Sequence, residues 1–321
     1  SKKRRRDSGR FSSKFADASP AALFKGALKM SAEAFLEVGM SPDKEGWTLT
    51  SAQGACVRVS YFRHPIFVAG KYVKRNRALS QTSWKVGSER IGESSVEEVI
   101  ARAFEALAPA DDVKLIAAGR EDLDVRMLGG GRPFVMEVKN CARKALDLRR
   151  LRDPRFTEPL MKGDVEIRDI IATDKKSVSL LQEGAEEKNK KYKCVVWFGR
   201  RLTEADVRMV NAMADVVTRQ KTPMRVLHRR AGLVRERTIY KMRMQLQARS
   251  GGHFGVLELE TEAGTYIKEF VHGDLGRTHP SVASILGCDA DILQLDVMGV
   301  AMTFQPRQLP EPEPEPEEDF H

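Results

Sequence analysis

The feature that most constrains this fold lies between residues 61 and 305. There, short apolar runs with a period of two mix irregularly with longer runs of helical period. Residues 66–69, 134–138, 194–198 and 293–297 read as buried strands, and 254–260 alternates apolar and polar residues like a half-buried strand. Ser94 and Ser95 each stand three residues before a glutamate, so either can open a helix whose apolar stripe is Val96, Val99, Ile100, Phe104 and Leu107. Thr203 with Asp206 caps a second helix, expected to run through Val207, Val210 and Val217. Gly264 ends the 254–260 strand. Ile267, Phe270, Val271 and Leu275 then follow helical spacing, which places Tyr266, Ile267 and Lys268 at a first helical turn. Strands and helices without strict βα alternation predict an α+β domain with a mixed sheet, rather than a doubly wound one.

The flanks have a different character. Residues 1–20 lack hydrophobic periodicity, carry the run Lys2 to Arg6, and are expected to be disordered. Residues 21–60 are too short to be a domain alone; 21–36 has helical spacing and 56–59 reads as a strand. From 306 to 321 alternating Pro and Glu predict an extended, solvated tail. That tail has six acids against Arg307, a net −5, and residues 1–10 carry +5, so the +9 of the whole chain is also the charge of residues 11–305. A basic body favours a polyanionic partner such as nucleic acid. No apolar run approaches the roughly 20 residues a membrane helix needs. Cys56, Cys141, Cys194 and Cys288 are scattered, at no zinc-ligand spacing, and are expected to be buried thiols.

Four segments carry the chemistry. Residues 119–126 pack Glu121, Asp122 and Asp124 between Arg120 and Arg126. If Leu123 and Val125 point inward on a strand, Asp122 and Asp124 share the other face and need cationic relief; a surface salt-bridge cluster is the alternative. In 264–278, Lys268 beside Tyr266 is placed to hold a buried carboxylate ionised, or to lie exposed on an amphipathic helix. In 220–230, Arg225, Arg229 and Arg230 suit phosphate contacts or a solvated face. Tyr192 among Lys190, Lys191 and Lys193 is an aromatic able to stack a nucleobase, or an ordinary strand-edge residue.

At these residues the chain resembles the Pus-ten branch of pseudouridine synthases. The matching stretches are GREDLDVRMLGGGRPFVMEV (119–138), KKYKCVVW (190–197), QKTPMRVLHRR (220–230), GTYIKEFVHGDLGRT (264–278) and DILQLDV (291–297), with VAGKY (68–72) and ESSVEEVI (93–100) also similar. The resemblance implies the pseudouridine synthase fold, a mixed and largely antiparallel sheet around a central cleft. It implies Asp122 as the catalytic aspartate, Tyr192 stacking on the target base, and Lys268 pairing with the aspartate. Ile267 and Leu295 would line the pocket. Apart from the resemblance, Tyr266 and Arg120 are further candidates for substrate contact, Arg120 also as a cation near Asp122. The implied activity is isomerisation of uridine in RNA, most often in the T-arm loop of tRNA, without a cofactor or metal. Protein partners are not implied; nucleus, cytoplasm or an organelle all fit the basic N-terminus.

Members of that branch carry an N-terminal THUMP-containing domain with a cysteine zinc site, of which residues 21–60, with Cys56 alone, are expected to be a remnant. Two other readings compete with the synthase. A catalytically silent RNA-binding or assembly factor would keep the same fold. A metal-dependent nuclease would use Asp124 with Glu137-Val138-Lys139.

Overall fold

The computed structural model describes residues 38–43, 46–51, 56–59, 63–86, 89–187, 189–227, 230–300 and 304–311. The basic run at 2–6 and the helical spacing at 21–36 lie outside them. The chain divides into two compact units, Ser1–Pro65 and Ile66–His321. In the first, β1 (Val38–Asp43), β2 (Gly46–Ser51) and β3 (Cys56–Val59) form an antiparallel three-stranded sheet. β3 is the strand expected at 56–59.

The second unit is built on a ten-stranded sheet. After β4 (Ile66–Lys74) and a small hairpin, β5 (Trp84–Val86) and β6 (Glu89–Ile91), come β7 (Asp112–Ala117), β8 (Arg126–Lys139), β9 (Val165–Thr173) and β10 (Lys190–Phe198). Then follow β11 (Ala214–Lys221), β12 (Val234–Leu246), β13 (Phe254–Thr261), β14 (Thr278–His279) and β15 (Ala290–Val300). The order across the sheet is β14-β11-β12-β13-β10-β15-β8-β4-β9, with β7 also on β8. Only β15 and β8 run parallel, at Asp296↔Arg126 and Val297↔Met127; the other pairs in this sheet are antiparallel. The expected mixed, largely antiparallel α+β architecture is therefore present.

β8 positions the site. Its C-terminal half pairs with β7, from Asp112↔Lys139 to Ala117↔Phe134, while its first residues pair with β15. β7 and β15 thus lie end to end along one side of β8, and the loop joining β7 to β8, residues 118–125, falls at the split between them. The glycines at 129–131 make the crossing possible. Gly129 has φ +59°, and a Cβ there would stand 1.9 Å from the Met298 carbonyl oxygen, a contact no side chain tolerates.

Helices cover the sheet. The helix Val96–Glu105 buries Val96, Val99, Ile100 and Phe104, as its spacing predicts, and Ser95 rather than Ser94 is the cap, accepting from the Glu98 amide. The Thr203–Asp206 capping box is also present, but that helix ends at Asn211. Val217 belongs instead to β11 and is exposed. The helix stops because Asn211 grips β12 through both its amide atoms, accepting from the Met244 amide and donating to the Met244 carbonyl. The β-branched Val216, Val217 and Thr218 then favour a strand. Cys194 is buried in β10, where desolvation pushes its thiol up to about 12, as an inert core residue requires.

The start of the acidic tail does not leave the surface. Residues 304–311 run along the edge strand β9: the Leu309 amide donates to the Ala172 carbonyl, Thr173 Oγ1 donates to the Arg307 carbonyl, and Arg152 pairs with Glu311. The first six residues of the tail are thus anchored along β9, while Arg307, Gln308, Pro310 and Glu311 remain exposed. An edge strand with unpaired amides and carbonyls gains from such a cover.

Candidate active site

The loop 118–125 is not a strand. Val125 N donates to the Asp122 carbonyl at 3.1 Å, closing a turn over 122–125, so Asp122 and Asp124 do not share a pleated face. Beneath the turn, Lys74 has no exposed surface and donates to the carbonyls of Leu79, Leu123 (2.8 Å) and Asp122 (3.3 Å). Burial pulls its amine down to about 8, against the opposing charge of Glu121 and then of Asp124 and Asp122.

A second buried group fixes the other side of the loop. Glu121 accepts from Tyr72 OH at 2.9 and 3.0 Å and from Arg132 Nε at 2.8 Å, and Arg132 Nη1 donates to the Ala118 carbonyl at 2.6 Å. Gln81 Nε2 donates to both Tyr72 OH and the Gly119 carbonyl. Burial, and then the Glu121 charge, raises the Tyr72 phenol well above its ordinary range. Tyr72, Lys74, Gln81 and Arg132 were invisible as site residues in the sequence. Among them only Arg132, an arginine directly before the apolar run of β8, gave any signal that a buried partner was needed.

The side chain of Asp122 points into a cavity of about 840 Å³. Arg225, in the 3-10 turn Met224–Val226, donates from Nη1 to Asp122 Oδ2 at 2.7 Å. Glu269, buried in the helix Ile267–His272, holds the same guanidinium from behind, at 2.8 Å to Nε and 3.3 Å to Nη2. Lys268 stands in the first turn of that helix, as expected, with Tyr266 at its N-cap. Its Nζ lies 3.8 Å from Asp122 Oδ2 but makes its hydrogen bonds to Asp124, at 2.8 and 2.9 Å. The closest cation to Asp122 is therefore Arg225, which the sequence suggested as a phosphate contact, and the expected Lys268–Asp122 pair is the looser one. Burial works against the Asp124 charge, yet the Lys268 hydrogen bonds and charge hold its carboxyl below the usual range.

Tyr192 on β10 and Leu295 on β15 line the same cavity, with Ile267, Tyr266, Arg120 and Arg230. Desolvation raises the Tyr192 phenol to about 12, with Arg132 opposing, so it is neutral at physiological pH. Ile267 and Leu295 are buried. Gln220 fixes Tyr266, donating to its carbonyl and accepting from its amide, each at 2.9 Å. Arg120 is exposed and bonded only to Thr82 Oγ1 among the described residues. Arg229 lies outside the described residues.

The nuclease arrangement is not assembled. Asp124 precedes the start of β8, while Glu137 and Lys139 sit at its far end. Lys74↔Met127 and Ile66↔Val138 mark the two ends of β4. Eight residues of strand at ~3.4 Å each separate them by about 27 Å. Among the described residues no group of three His, Cys, Asp or Glu side chains is placed to hold a metal.

The family model "Pus10, C-terminal" matches residues 67–301. The mouse protein named tRNA pseudouridine synthase Pus10 is 40% identical over 241 residues, which cover 75% of this chain and 45% of that protein. The human protein of the same name is 37% identical over 285 residues, covering 89% of this chain and 53% of that protein. The chain thus spans about half the length of these relatives. A solved Cbf5-Nop10-Gar1 complex is similar at TM-score 0.38 and 16% identity, over 72% of this chain and 48% of that one.

Proposed function

Because the chain belongs to the Pus10 family through that family's C-terminal region, we propose that its second unit isomerises uridine to pseudouridine in RNA, with Asp122 as the reacting carboxylate. The observation that carries this reading is the Asp122 side chain at the cavity, touched by Arg225 at 2.7 Å and approached by Lys268 at 3.8 Å, with Tyr192 in the same cavity. Two cations stand beside the Asp122 carboxylate and can balance charge that changes there during the reaction. Asp122 either adds covalently to the nucleoside or promotes cleavage of the N1–C1′ bond through the sugar. The detached uracil turns and rejoins C1′ through C5. The product is an isomer, with no net oxidation or transfer to water.

The target base must leave its stack, at a cost of a few kcal/mol that is smallest in a loop. Stacking on Tyr192 returns about 1–3 kcal/mol. Arg120 and Arg230 carry charge at the cavity without a carboxylate partner among the described residues and suit the flanking phosphates. The finer proposal is a uridine of the tRNA T-arm loop, an exposed loop that supplies a base at low unstacking cost. The test is carbodiimide mapping of pseudouridine on tRNA transcripts incubated with the chain and with Asp122→Asn. The expected result is one modified T-loop position, absent with the variant while RNA binding persists. RNA binding without product by the unsubstituted chain would instead support the silent assembly factor, and product from the Asn variant would remove Asp122 from the chemistry.

A further inference from the structure

At the cavity one cation, Lys190, is without a carboxylate partner among the described residues, and a second, Arg132, keeps one donor free. Lys190 opens β10 two residues before Tyr192, so the two side chains leave the strand on the same face, and both line the cavity. Arg132 rises from β8 beside them. It uses Nε on Glu121 and Nη1 on the Ala118 carbonyl, and its Nη2 takes no hydrogen-bond partner among the described residues although the side chain is 2% exposed. Lys190 Nζ likewise has no hydrogen bond or ion pair among the described residues. The two are neighbours: a Cβ on Gly119 would lie 3.0 Å from Arg132 Nη1 and 3.6 Å from Lys190 Nζ.

Like charges this close repel, and the one buried carboxylate nearby, Glu121, is already held by Arg132 and Tyr72. Burial first, and then the Arg132 charge, pulls the Lys190 amine down to about 8, with Glu121 opposing. Both donors face the cavity, and a ligand that brings oxygen acceptors there can pair with them. Uracil brings two carbonyl oxygens.

We infer that Lys190 and Arg132 Nη2 form an anion subsite that receives the carbonyl oxygens of the target uracil and holds the base while it is detached. The inference rests on the isomerase reading above and names the residues that stabilise the leaving base. When the N1–C1′ bond breaks, its electron pair departs with N1. The free base is then an anion whose charge is shared between N1 and the carbonyl oxygens. Lys190 and Arg132 stabilise that charge by hydrogen bonding and give up no proton. Once C5–C1′ forms, C5 loses its proton and N1 gains one, which completes the isomer. Cytosine presents an amino group where uracil has its 4-carbonyl, so a site lined only by donors also excludes that base.

The test uses the full chain and its Lys190→Met, Lys190→Gln and Lys190→Arg variants. It follows single-turnover tritium release from tRNA transcripts whose uridines are tritiated at C5, with RNA affinity and thermal melting measured beside it. Removing one donor to a developing anion lowers a rate by about 100-fold or more, so Lys190→Met and Lys190→Gln should both fall by this much. Affinity should stay within about threefold, because the contact strengthens only as the base becomes anionic. Lys190→Arg, which restores a cationic donor, should recover most of the rate. Because the Gln variant keeps a polar side chain, a misfolded Met variant does not decide the outcome. Wild-type rates in the Met and Gln variants overturn the inference and leave the isomerase reading intact. A chain that binds RNA yet releases no tritium overturns both.

Discussion

Glu121→Gln should be the most destabilising conservative change near the site. The Glu121 side chain has no exposed surface, and Arg132 opposite is 2% exposed. Glutamine keeps the shape but removes the charge, and its amide NH₂ faces donors from Tyr72 and Arg132. The guanidinium is then left buried and uncompensated. Breaking one side of such a pair costs about 3–5 kcal/mol. For a domain of roughly this size each kcal/mol lowers Tm by about 2–4 °C, so the expected fall is about 6–20 °C. Denaturant unfolding of the wild type, Glu121→Gln, Arg132→Met and the Glu121→Leu/Arg132→Met double variant separates the pair from its surroundings. Replacing both charges by apolar groups of similar volume should recover most of the loss, because the penalty is desolvated charge rather than lost packing. Single variants that cost less than about 1 kcal/mol, or a double variant that costs the sum of the two, would refute the reasoning.

Three further outcomes follow from the ion pairs. Arg225→Lys keeps a cation near Asp122 but cannot bridge Glu269 and Asp122 with one planar fork; isomerisation should fall by about 10–100-fold in single-turnover assays with little change in Tm. Asp296 accepts from Arg126 at 2.8 and 2.6 Å and from Arg77 at 2.6 Å, tying β15 to β8, so Asp296→Asn should cost about 1.5–3 kcal/mol at neutral pH in urea unfolding. Burial opposes the Asp296 charge, but Arg126 and Arg77 hold its carboxyl below the usual range. Its contribution is therefore present above the unfolded value near 4 and is lost as pH falls through the lower folded value, so the gap between wild type and Asp296→Asn should close in acid.

What was legible in the sequence was what local periodicity and capping encode. The Ser95 and Thr203 caps, the apolar stripe of Val96–Glu105, the strands at 134–138, 194–198 and 254–260, and the first turn at Lys268 are all present. Val217 was misassigned because a valine spaced seven residues after Val210 satisfies helical periodicity, while the stop signal was Asn211 bonding to a strand more than thirty residues later. Lys268 does approach Asp122, at 3.8 Å, but the nearer partner was missed for the same reason. Arg225 is about a hundred residues away in sequence and donates to the carboxylate while Glu269 holds the other side of its guanidinium. Tyr72 and Lys74 lie in or at the end of the apolar strand β4, where local sequence gives no sign of a partner that comes from a distant loop.

The pairing pattern explains how Asp122 can be both charged and available. Arg225 is held by Glu269, Lys268 by Asp124, and Arg132 by Glu121, so each of these cations already has a carboxylate of its own. Asp122 therefore shares charge it does not own: one hydrogen bond from Arg225 and a looser approach from Lys268, with a third of its side chain still exposed. A carboxylate chelated by its own arginine fork would be a poor nucleophile. The four carboxylates at 121, 122, 124 and 269 stand against five cations at 74, 132, 190, 225 and 268. Of these, Lys74 donates only to backbone carbonyls, and Lys190, with no hydrogen bond or ion pair among the described residues, lines the cavity beside Arg132.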